Sequence, residues 1–547
     1  MNNKLTIGGI VLVSLLTTLV TTNVNAASQP SGPNRPPRGG GPDNPPPPPP
    51  PRNNIDQRLA SIVEQQNLVA ISNNELNLPT IDDAKVQLGK KLFFTKNLGG
   101  EQSAACVSCH HPSLGGGDDL SLSVGVDAVD ELTQSSHQLL GIGRFNGNNN
   151  ENLPVVPRNA PSIFNIGLNN RGLFWDSRVE TARNGGIFTP DSPTNARGQR
   201  QPDNSLPPGT TLASAQARFP VTSSDEMRGE FLASETNQTL RSALAQRFDN
   251  TNEDFITTWA AAFSEVFTDN DINFDRIADA IGEYERSLLF VDNRWNRYLS
   301  GETDALTDEE KAGAILFFTP TQQGGASCAG CHNGPTFSND RHHLAAFPQI
   351  GVGKGNASET ATSHDFGREN VTHDIADRYH FRTPSLLNVS VTAPYGHSGA
   401  YQTLTEVVAH YNDPEAAIDR LFAARAEVPF TDGIAPYCLL PQIAEIMQKN
   451  NSNCEDVFPD AYANSLASVQ YLQQALAGEV DARAPLRTRP NLSSVQITQL
   501  VAFLNTLTDP CVNDRSCLAP WIIDENDVAS FPDNQPLVGH DKAGNSL

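Results

Sequence analysis

Two short motifs of cysteine and histidine carry the most specific chemistry in this sequence. Both have the form Cys-X-X-Cys-His. Their residues are Cys106, Cys109 and His110 in the first motif and Cys328, Cys331 and His332 in the second. At this spacing two thiols form thioethers with the vinyl groups of a haem, and the adjacent histidine reaches the iron. A lone Cys-X-X-Cys also occurs in redox dithiols and zinc sites. Two copies, each followed directly by histidine, predict two covalently bound haems c.

The other four cysteines lie close together in the last quarter of the chain. In an oxidising compartment such cysteines form disulfides. We expect the local pairs Cys438–Cys454 and Cys511–Cys517, although the sequence alone leaves other pairings open.

The first 26 residues have the pattern of a secretory signal peptide. Lys4 precedes an apolar run over residues 5–20, and residues 24–26 form a small-residue cleavage site. The alternative is an uncleaved anchor, but the apolar run is short and diluted for a spanning helix. We therefore predict a signal peptide at 1–26, a periplasmic protein, and no stable membrane insertion after cleavage.

Composition limits the partners. The chain has 547 residues and a formal net charge of −24. Phosphate groups would repel so acidic a chain, which excludes nucleic acid as an electrostatic partner. The charge suits a basic redox protein or a small neutral substrate, unless the acidity is only a solvated surface. Residues 27–54 contain seven consecutive prolines, a composition that favours extended polyproline II and predicts a disordered linker.

The surroundings of the two motifs repeat. Residues 84–94 have a helical pattern that ends in Leu-Phe-Phe, and a capping box at 307–310 opens a helix that ends in Leu-Phe-Phe at 316–318. Each half closes with an amphipathic helix. Its apolar face is Ile277, Ile281, Tyr284 and Leu288 in the first half and Ile497, Leu500, Val501 and Leu504 in the second.

This repeat predicts a mainly α fold with two tandem cytochrome c-type domains, long loops and few strands. The predicted ranges are 55–300 for the N-terminal domain, 301–520 for the C-terminal domain with an insertion at 413–485, and 521–547 for a C-terminal tail.

Five further segments, in order, resemble the bacterial di-haem cytochrome c peroxidases and their MauG-type relatives. The segments are 88–94 (LGKKLFF), 158–162 (RNAPS), 174–176 (FWD), 226–227 (EM) and 392–399 (TAPYGHSG). The resemblance implies that peroxide reacts at the N-terminal haem, whose proximal ligand is His110. It also implies that His332 is the proximal ligand of a second haem, which transfers electrons.

The same resemblance implies roles for residues around the haems. Gln216 and Glu226 would lie on the distal side of the first haem, and Trp175 would lie between the haems. A carboxylate there can move a proton between the peroxide oxygens, and an amide can orient them. Without the resemblance, Glu226 is interpreted as a surface or capping residue and Trp175 as core packing.

A calcium ion between the domains is also implied by the resemblance. Its protein ligands would be the side chain of Asn159 and the backbone carbonyls of Thr392 and Pro394.

Two positions depart from the ordinary peroxidase pattern. Val126 stands where those enzymes have a histidine that closes the first haem until reduction, and His137, in a longer loop, is a possible substitute. Tyr411 stands where those enzymes have a methionine ligand to the second haem, as it does in MauG-type enzymes. A tyrosinate ligand would lower the reduction potential of that haem. The alternatives are a packing role for Tyr411, with His410 or Met447 as the ligand.

Three functions compete on these residues. A MauG-type enzyme would use hydrogen peroxide to oxidise a protein side chain or another large substrate, with the first haem open at rest. An ordinary cytochrome c peroxidase would reduce peroxide with electrons from a small cytochrome or cupredoxin. A di-haem carrier would only transfer electrons. The absence of the histidine and methionine favours the first function, and Gln216 with Glu226 favours either enzyme over the carrier.

Overall fold

Helices dominate the computed structural model, which describes residues 54–72, 76–130, 138–147, 151–183, 185–249, 258–269, 271–355, 363–423, 434–487, 489–533 and 535–547. The predicted signal peptide, nearly all of the linker and His137 lie outside the described residues. The structure is 42% helix and 7% strand, so the prediction of a mainly α fold with few strands is confirmed. No helix within the described ranges is long and apolar enough to cross a membrane.

The described part of the chain contains fifteen α-helices. They are α1 (Asn54–Gln65), α2 (Ala84–Phe94), α3 (Leu212–Gln216), α4 (Asn237–Gln246), α5 (Trp259–Ser264), α6 (Phe274–Ser287), α7 (Arg294–Leu299), α8 (Asp308–Phe318), α9 (Glu369–Thr372), α10 (Leu404–Asn412), α11 (Pro414–Phe422), α12 (Pro441–Asn450), α13 (Ala461–Ala477), α14 (Ser494–Asn505) and α15 (Arg515–Leu518).

Short strands form three small antiparallel sheets among the same residues. The strands are β1 (Ala128–Asp130), β2 (Arg144–Asn146), β3 (Gly172–Leu173), β4 (Val179–Thr181), β5 (Ile187–Phe188), β6 (His342–His343) and β7 (Phe381–Arg382). β1 pairs with β2, β4 lies between β3 and β5, and β6 pairs with β7.

The same crossed helix pair occurs in both halves. α2 packs across α6, and α8 packs across α14. A Cβ on Gly89 would lie 1.9 Å from the carbonyl oxygen of Ala280, and a Cβ on Gly313 would lie 1.9 Å from that of Gln499. Both crossings therefore require glycine, because any side chain would overlap the backbone of the partner helix. This structural repeat matches the repeat seen in the sequence.

Each crossing lies in a separate hydrophobic core. In the first core the rings of Phe93 and Tyr284 are 5.0 Å apart, and in the second those of Phe317 and Phe503 are 5.2 Å apart. All four side chains are buried. The two halves thus bury aromatic pairs at corresponding positions of the crossing helices.

The two ends of the described chain each pack on the core of the other half. α1 lies against α8, where Lys311 pairs with Asp56 at 2.8 Å. Residues 521–547 join the first core, in which Leu537 is fully buried and donates its N–H to the carbonyl of Phe94 at 2.9 Å. Residues 52–547 form one compact unit, and the ranges 55–300 and 301–520 stay predictions.

The segment predicted as an insertion, 413–485, contains α11, α12 and α13. Cys438 and Cys454 are joined in it and are buried together with Ile443. The side chain of Gln442 bonds both backbone groups of Leu122, at 3.0 and 2.8 Å, which ties the segment to the first half. Cys511 and Cys517 are also joined, in the expected pattern.

Candidate functional site

A cavity of about 720 Å³ brings the predicted site residues together. This volume lies within the usual range for cofactor pockets, about 300–1,000 Å³. The predicted residues that line it are Cys106, Cys109, His110, Asn159, Trp175, Gln216, Glu226, Cys328, Cys331, His332, Thr392, Pro394 and Tyr411. Residues more than 300 positions apart in the chain therefore line one cavity.

The two Cys-X-X-Cys-His motifs fold in the same way. Each begins in a single 3₁₀ turn, which places the histidine N–H against the carbonyl of the first cysteine, at 3.2 Å for His110 and 2.9 Å for His332. The four thiols form no disulfides. Each turn thus directs two thiols and one imidazole towards the same cavity.

The imidazoles of His110 and His332 are prepared as metal ligands. Nδ1 of His110 lies 3.2 Å from the carbonyl of Gly116, and Nδ1 of His332 lies 2.9 Å from that of Phe337. A carbonyl can only accept, so both Nδ1 atoms carry the proton and both Nε2 atoms keep a free lone pair. Burial lowers the pKa of His110, and it lowers the pKa of His332 to about 4.

These features fit a covalently held haem at each motif. Unpaired thiols, a neutral imidazole with one oriented nitrogen and a shared cavity are what thioether attachment and axial ligation require. His110 would hold the first iron and His332 the second.

Glu226 lies on a single turn of π-helix, Ser224–Arg228, and lines the cavity. The N–H of Val126 donates to the carbonyl of Asp225 at 3.4 Å. A Cβ on Gly125 would lie 2.3 Å from that carbonyl oxygen and 2.4 Å from that of Glu226. The backbone at 125–126, which contains Val126 in place of the histidine of ordinary peroxidases, therefore packs directly on the backbone that carries Glu226.

The carboxyl of Glu226 is balanced between burial and two cations. Burial raises its pKa, while Arg178 and then Lys354 oppose that rise. Arg178 Nη2 lies 3.7 Å from Glu226 Oε1. Glu226 and Cys109 line the same cavity, and Glu226 adds to the rise in the pKa of the Cys109 thiol that burial and then Asp118 cause.

Trp175 connects the two halves at the cavity wall. Its indole N–H donates to the carbonyl of Asn159 at 2.9 Å, and its own carbonyl accepts from the N–H of Arg382 at 2.8 Å. The ring lines the cavity that both motifs share. Trp175 is thus fixed by one residue from each half.

The residues expected to bind calcium also line this cavity. The amide nitrogen of Asn159 donates to the carbonyl of Leu120 at 2.8 Å, which leaves the amide oxygen as a possible donor. Thr392 and Pro394 line the same space. Amide and carbonyl oxygens suit a hard cation such as calcium. No group of three or more acidic, cysteine or histidine side chains in the described residues forms a second candidate.

Tyr411 and its rivals lie in different environments. Tyr411 lines the cavity. Burial is the main cause that raises the pKa of its phenol, and the charges of Cys331 and Cys328 raise that pKa further. His410 lies behind it, with Nδ1 2.9 Å from the hydroxyl of Tyr401 and Nε2 2.9 Å from the carbonyl of Ala345. Met447 packs on the core that contains the Cys438–Cys454 disulfide. Neither rival is among the residues that line the cavity.

Sequence reasoning missed several charged residues of this wall. Arg178 and Lys354 line the cavity beside Glu226, and Glu285 lines it beside Cys106. Lys354 Nζ lies 3.9 Å from Asp176, and burial lowers its pKa to about 8. These side chains belong to no sequence motif, since their importance comes from burial in the folded chain. Only the Gly-rich segment 351–355 around Lys354 could have drawn attention to one of them.

Parts of the chain are similar to known proteins. Residues 83–304 match the sequence model described as di-haem cytochrome c peroxidase. Cytochrome-c peroxidase IdrP2 of Denitromonas iodatirespirans is 26% identical over 366 residues, which cover 63% of this chain and 79% of that protein. Cytochrome c551 peroxidase of Pseudomonas aeruginosa is 29% identical over 337 residues, covering 61% and 73%. Methylamine utilization protein MauG of Methylorubrum extorquens is 26% identical over 331 residues, covering 60% and 68%.

Among solved structures, a MauG-like protein associated with microbial copper homeostasis is 22% identical, with a TM-score of 0.46. The match covers 82% of this chain and 95% of that one.

Proposed function

We propose that the chain is an oxidoreductase of the di-haem cytochrome c peroxidase type, which residues 83–304 resemble, and that it reacts with hydrogen peroxide at an open first haem in the manner of MauG. In this proposal the second haem is held by His332 and Tyr411 and exchanges electrons. The observation that carries it is the difference between the two motif sites. The carboxyl of Glu226 lines the cavity and adds to the rise in the pKa of Cys109 in the first motif. The phenol of Tyr411 lines the same cavity, and Cys331 and Cys328 of the second motif add to the rise in its pKa.

Bound haem supplies an iron that can bind peroxide and change its oxidation state. The protein supplies the proton transfer. The carboxylate of Glu226 takes a proton from one peroxide oxygen and returns it to the other, so that water can leave. The side-chain amide of Gln216 donates to a peroxide oxygen and holds it in position. Arg178, whose Nη2 lies 3.7 Å from Oε1 of Glu226, limits the rise in the pKa of this carboxyl.

Tyr411 rather than His410 is the proposed ligand because of hydrogen bonding. Both ring nitrogens of His410 are engaged, one with Tyr401 and one with Ala345. Turning this ring towards the cavity would break two buried hydrogen bonds, at about 1–3 kcal/mol for each group left unsatisfied. A ferric iron would offset the raised pKa of the Tyr411 phenol and favour the tyrosinate.

Trp175 is the proposed electron relay between the two sites. Its ring lines the shared cavity, the indole N–H donates to the carbonyl of Asn159, and the backbone carbonyl of Trp175 accepts from the N–H of Arg382. The proposal also includes a calcium ion on Asn159, Thr392 and Pro394, and a periplasmic location after removal of residues 1–26. The electron source would be a protein side chain or another large substrate.

Rapid mixing tests this proposal. The fully ferric holoprotein is mixed with one equivalent of peroxide, and the absorption of both haems is followed. We expect both spectra to change without prior reduction. Trp175→Phe should slow the change at the second haem while leaving that at the first.

The alternative is an ordinary cytochrome c peroxidase that uses a small cytochrome or cupredoxin, and the names of two relatives favour it. A reaction that occurs only after one haem has been reduced would support this alternative. No reaction of either haem with peroxide would leave a di-haem electron carrier.

A further inference from the structure

Glu285 is a buried carboxyl that the proposed reaction does not use. It lies on α6, its residue is 4% exposed, and it lines the cavity. One of its oxygens, Oε2, is buried without a hydrogen-bond partner. Within the described residues no cation forms a salt bridge with it.

Glu285 belongs to the first haem site. Its charge raises the pKa of the Cys106 thiol, second only to burial. Ile281, one helical turn earlier, lines the same cavity. This face of α6 therefore lies against the attachment point of the first haem.

The internal repeat shows what the second haem site has instead. Gly89 contacts Ala280 and Tyr284 of α6. Gly313 contacts Gln499 and Phe503 of α14, so Ala280 corresponds to Gln499 and Tyr284 corresponds to Phe503. The next residue is then Glu285 in α6 and Leu504 in α14. Leu504 is also buried and also lines the cavity. A titratable group thus occurs at the first site where the second has a hydrocarbon.

Few other groups compensate the charge of Glu285. Burying an unpaired carboxylate is costly, and burial raises its pKa to about 8. The titratable groups that interact with it are Cys106, which loses its proton permanently on attachment, and Tyr284, whose hydroxyl donates to the carbonyl of Trp521 at 2.7 Å. The protonation of Glu285 should therefore follow the charge held in the cavity.

We propose that Glu285 is a redox-linked proton site of the first haem. When a donor gives one electron to that haem, the cavity loses one positive charge, and the Glu285 carboxylate takes one proton from solvent. Withdrawal of the electron by an oxidant releases that proton. The net charge of the buried site then stays constant, so proton uptake makes reduction of this haem easier at low pH than at high pH. This inference rests on haem attachment at Cys106 and Cys109, and it does not depend on peroxide being the oxidant.

A potentiometric titration of the holoprotein from about pH 6 to about pH 9 tests this directly. Potentials of the two haems are followed by absorption with chemical mediators and dithionite. The potential of the first haem should fall with rising pH, by up to about 59 mV for each tenfold fall in proton concentration. Glu285→Gln should remove most of that slope and leave the second haem unchanged.

Glu283→Gln, which removes a carboxyl paired with Arg286 on the same helix, is the matched control and should keep the slope. An equal slope in Glu285→Gln and the natural protein would overturn the proposal. Should Glu285→Gln not assemble, infrared difference spectra of the natural protein decide. Reduction should produce a carboxylic C=O band that Glu285→Asp shifts, which separates it from the haem propionates. The absence of such a band would also overturn the proposal.

Discussion

Neighbouring side chains can have very different access to the same site. Tyr411 lines the cavity, while the side chain of His410, one residue earlier on α10, is held by Tyr401 and Ala345. A helix turns about 100° per residue, so consecutive side chains point in different directions. Their order in the sequence could not decide between them as ligands.

Replacement of Tyr411 should show which residue completes the second haem. Tyr411→Phe removes the phenolate oxygen and keeps the ring, so the low-spin electron paramagnetic resonance signal of that haem should change. His410→Gln serves as the comparison and should preserve the signal. An unchanged signal in Tyr411→Phe would show that another residue is the ligand.

The pH dependence of the peroxide reaction should report on Glu226. Its pKa is raised by burial, and only the ionised carboxylate can accept a proton. The rate should therefore rise with pH through this pKa and then level off. Glu226→Gln should lower the rate by about 10²–10⁴-fold and remove the rise. Arg178→Gln should move the rise to higher pH, because Arg178 lowers this pKa.

The exposed residue Glu230 provides the control for that experiment. Glu230→Gln should leave both the rate and its pH profile unchanged. A Glu226→Gln protein with the natural profile would contradict proton transfer by Glu226.

At the scale of elements, the turn that carries Glu226 depends on a neighbouring segment. Gly125 lies against the carbonyl oxygens of Asp225 and Glu226, where a Cβ would come within 2.3 and 2.4 Å. Gly125→Ala should push the π-helical turn away and slow the peroxide reaction, while the haem content stays natural. Stopped-flow absorption measures the rate. Val495→Ala, at a residue of α14 that is 64% exposed, should have no such effect.

Elements also show how much the sequence could predict. The paired Leu-Phe-Phe helices and the two attachment turns were evident from residue types and spacing, because both depend on local chemistry. The contact of Gly125 with the Glu226 turn and the burial of Glu285 arise from long-range packing. No local pattern marks them, and both emerge only when distant segments are brought together.

For the whole molecule, the C-terminal segment is part of the first core. Leu537 is fully buried there and bonds to Phe94, at the end of α2. The sequence suggested only a tail at 521–547, because its short apolar stretches are separated by polar residues. Its partner lies more than 400 residues earlier in the chain.

Shortening the side chain of Leu537 should therefore lower the stability of the first half. Leu537→Ala should cost about 2–5 kcal/mol of unfolding free energy through lost contacts and a cavity. Urea unfolding followed at both haems should show a lower midpoint, with the first haem changing first. Val495→Ala, at a residue that is 64% exposed, should stay within about 0.5 kcal/mol. Equal stability of the two variants would contradict this role for the segment.

In the proposed function the two haems differ, the first open and the second closed by Tyr411. The most direct measurement is electron paramagnetic resonance of the resting ferric holoprotein, before and after one equivalent of peroxide. We predict one high-spin and one low-spin signal, both of which change on addition of peroxide. Two low-spin signals that peroxide leaves unchanged would contradict the account.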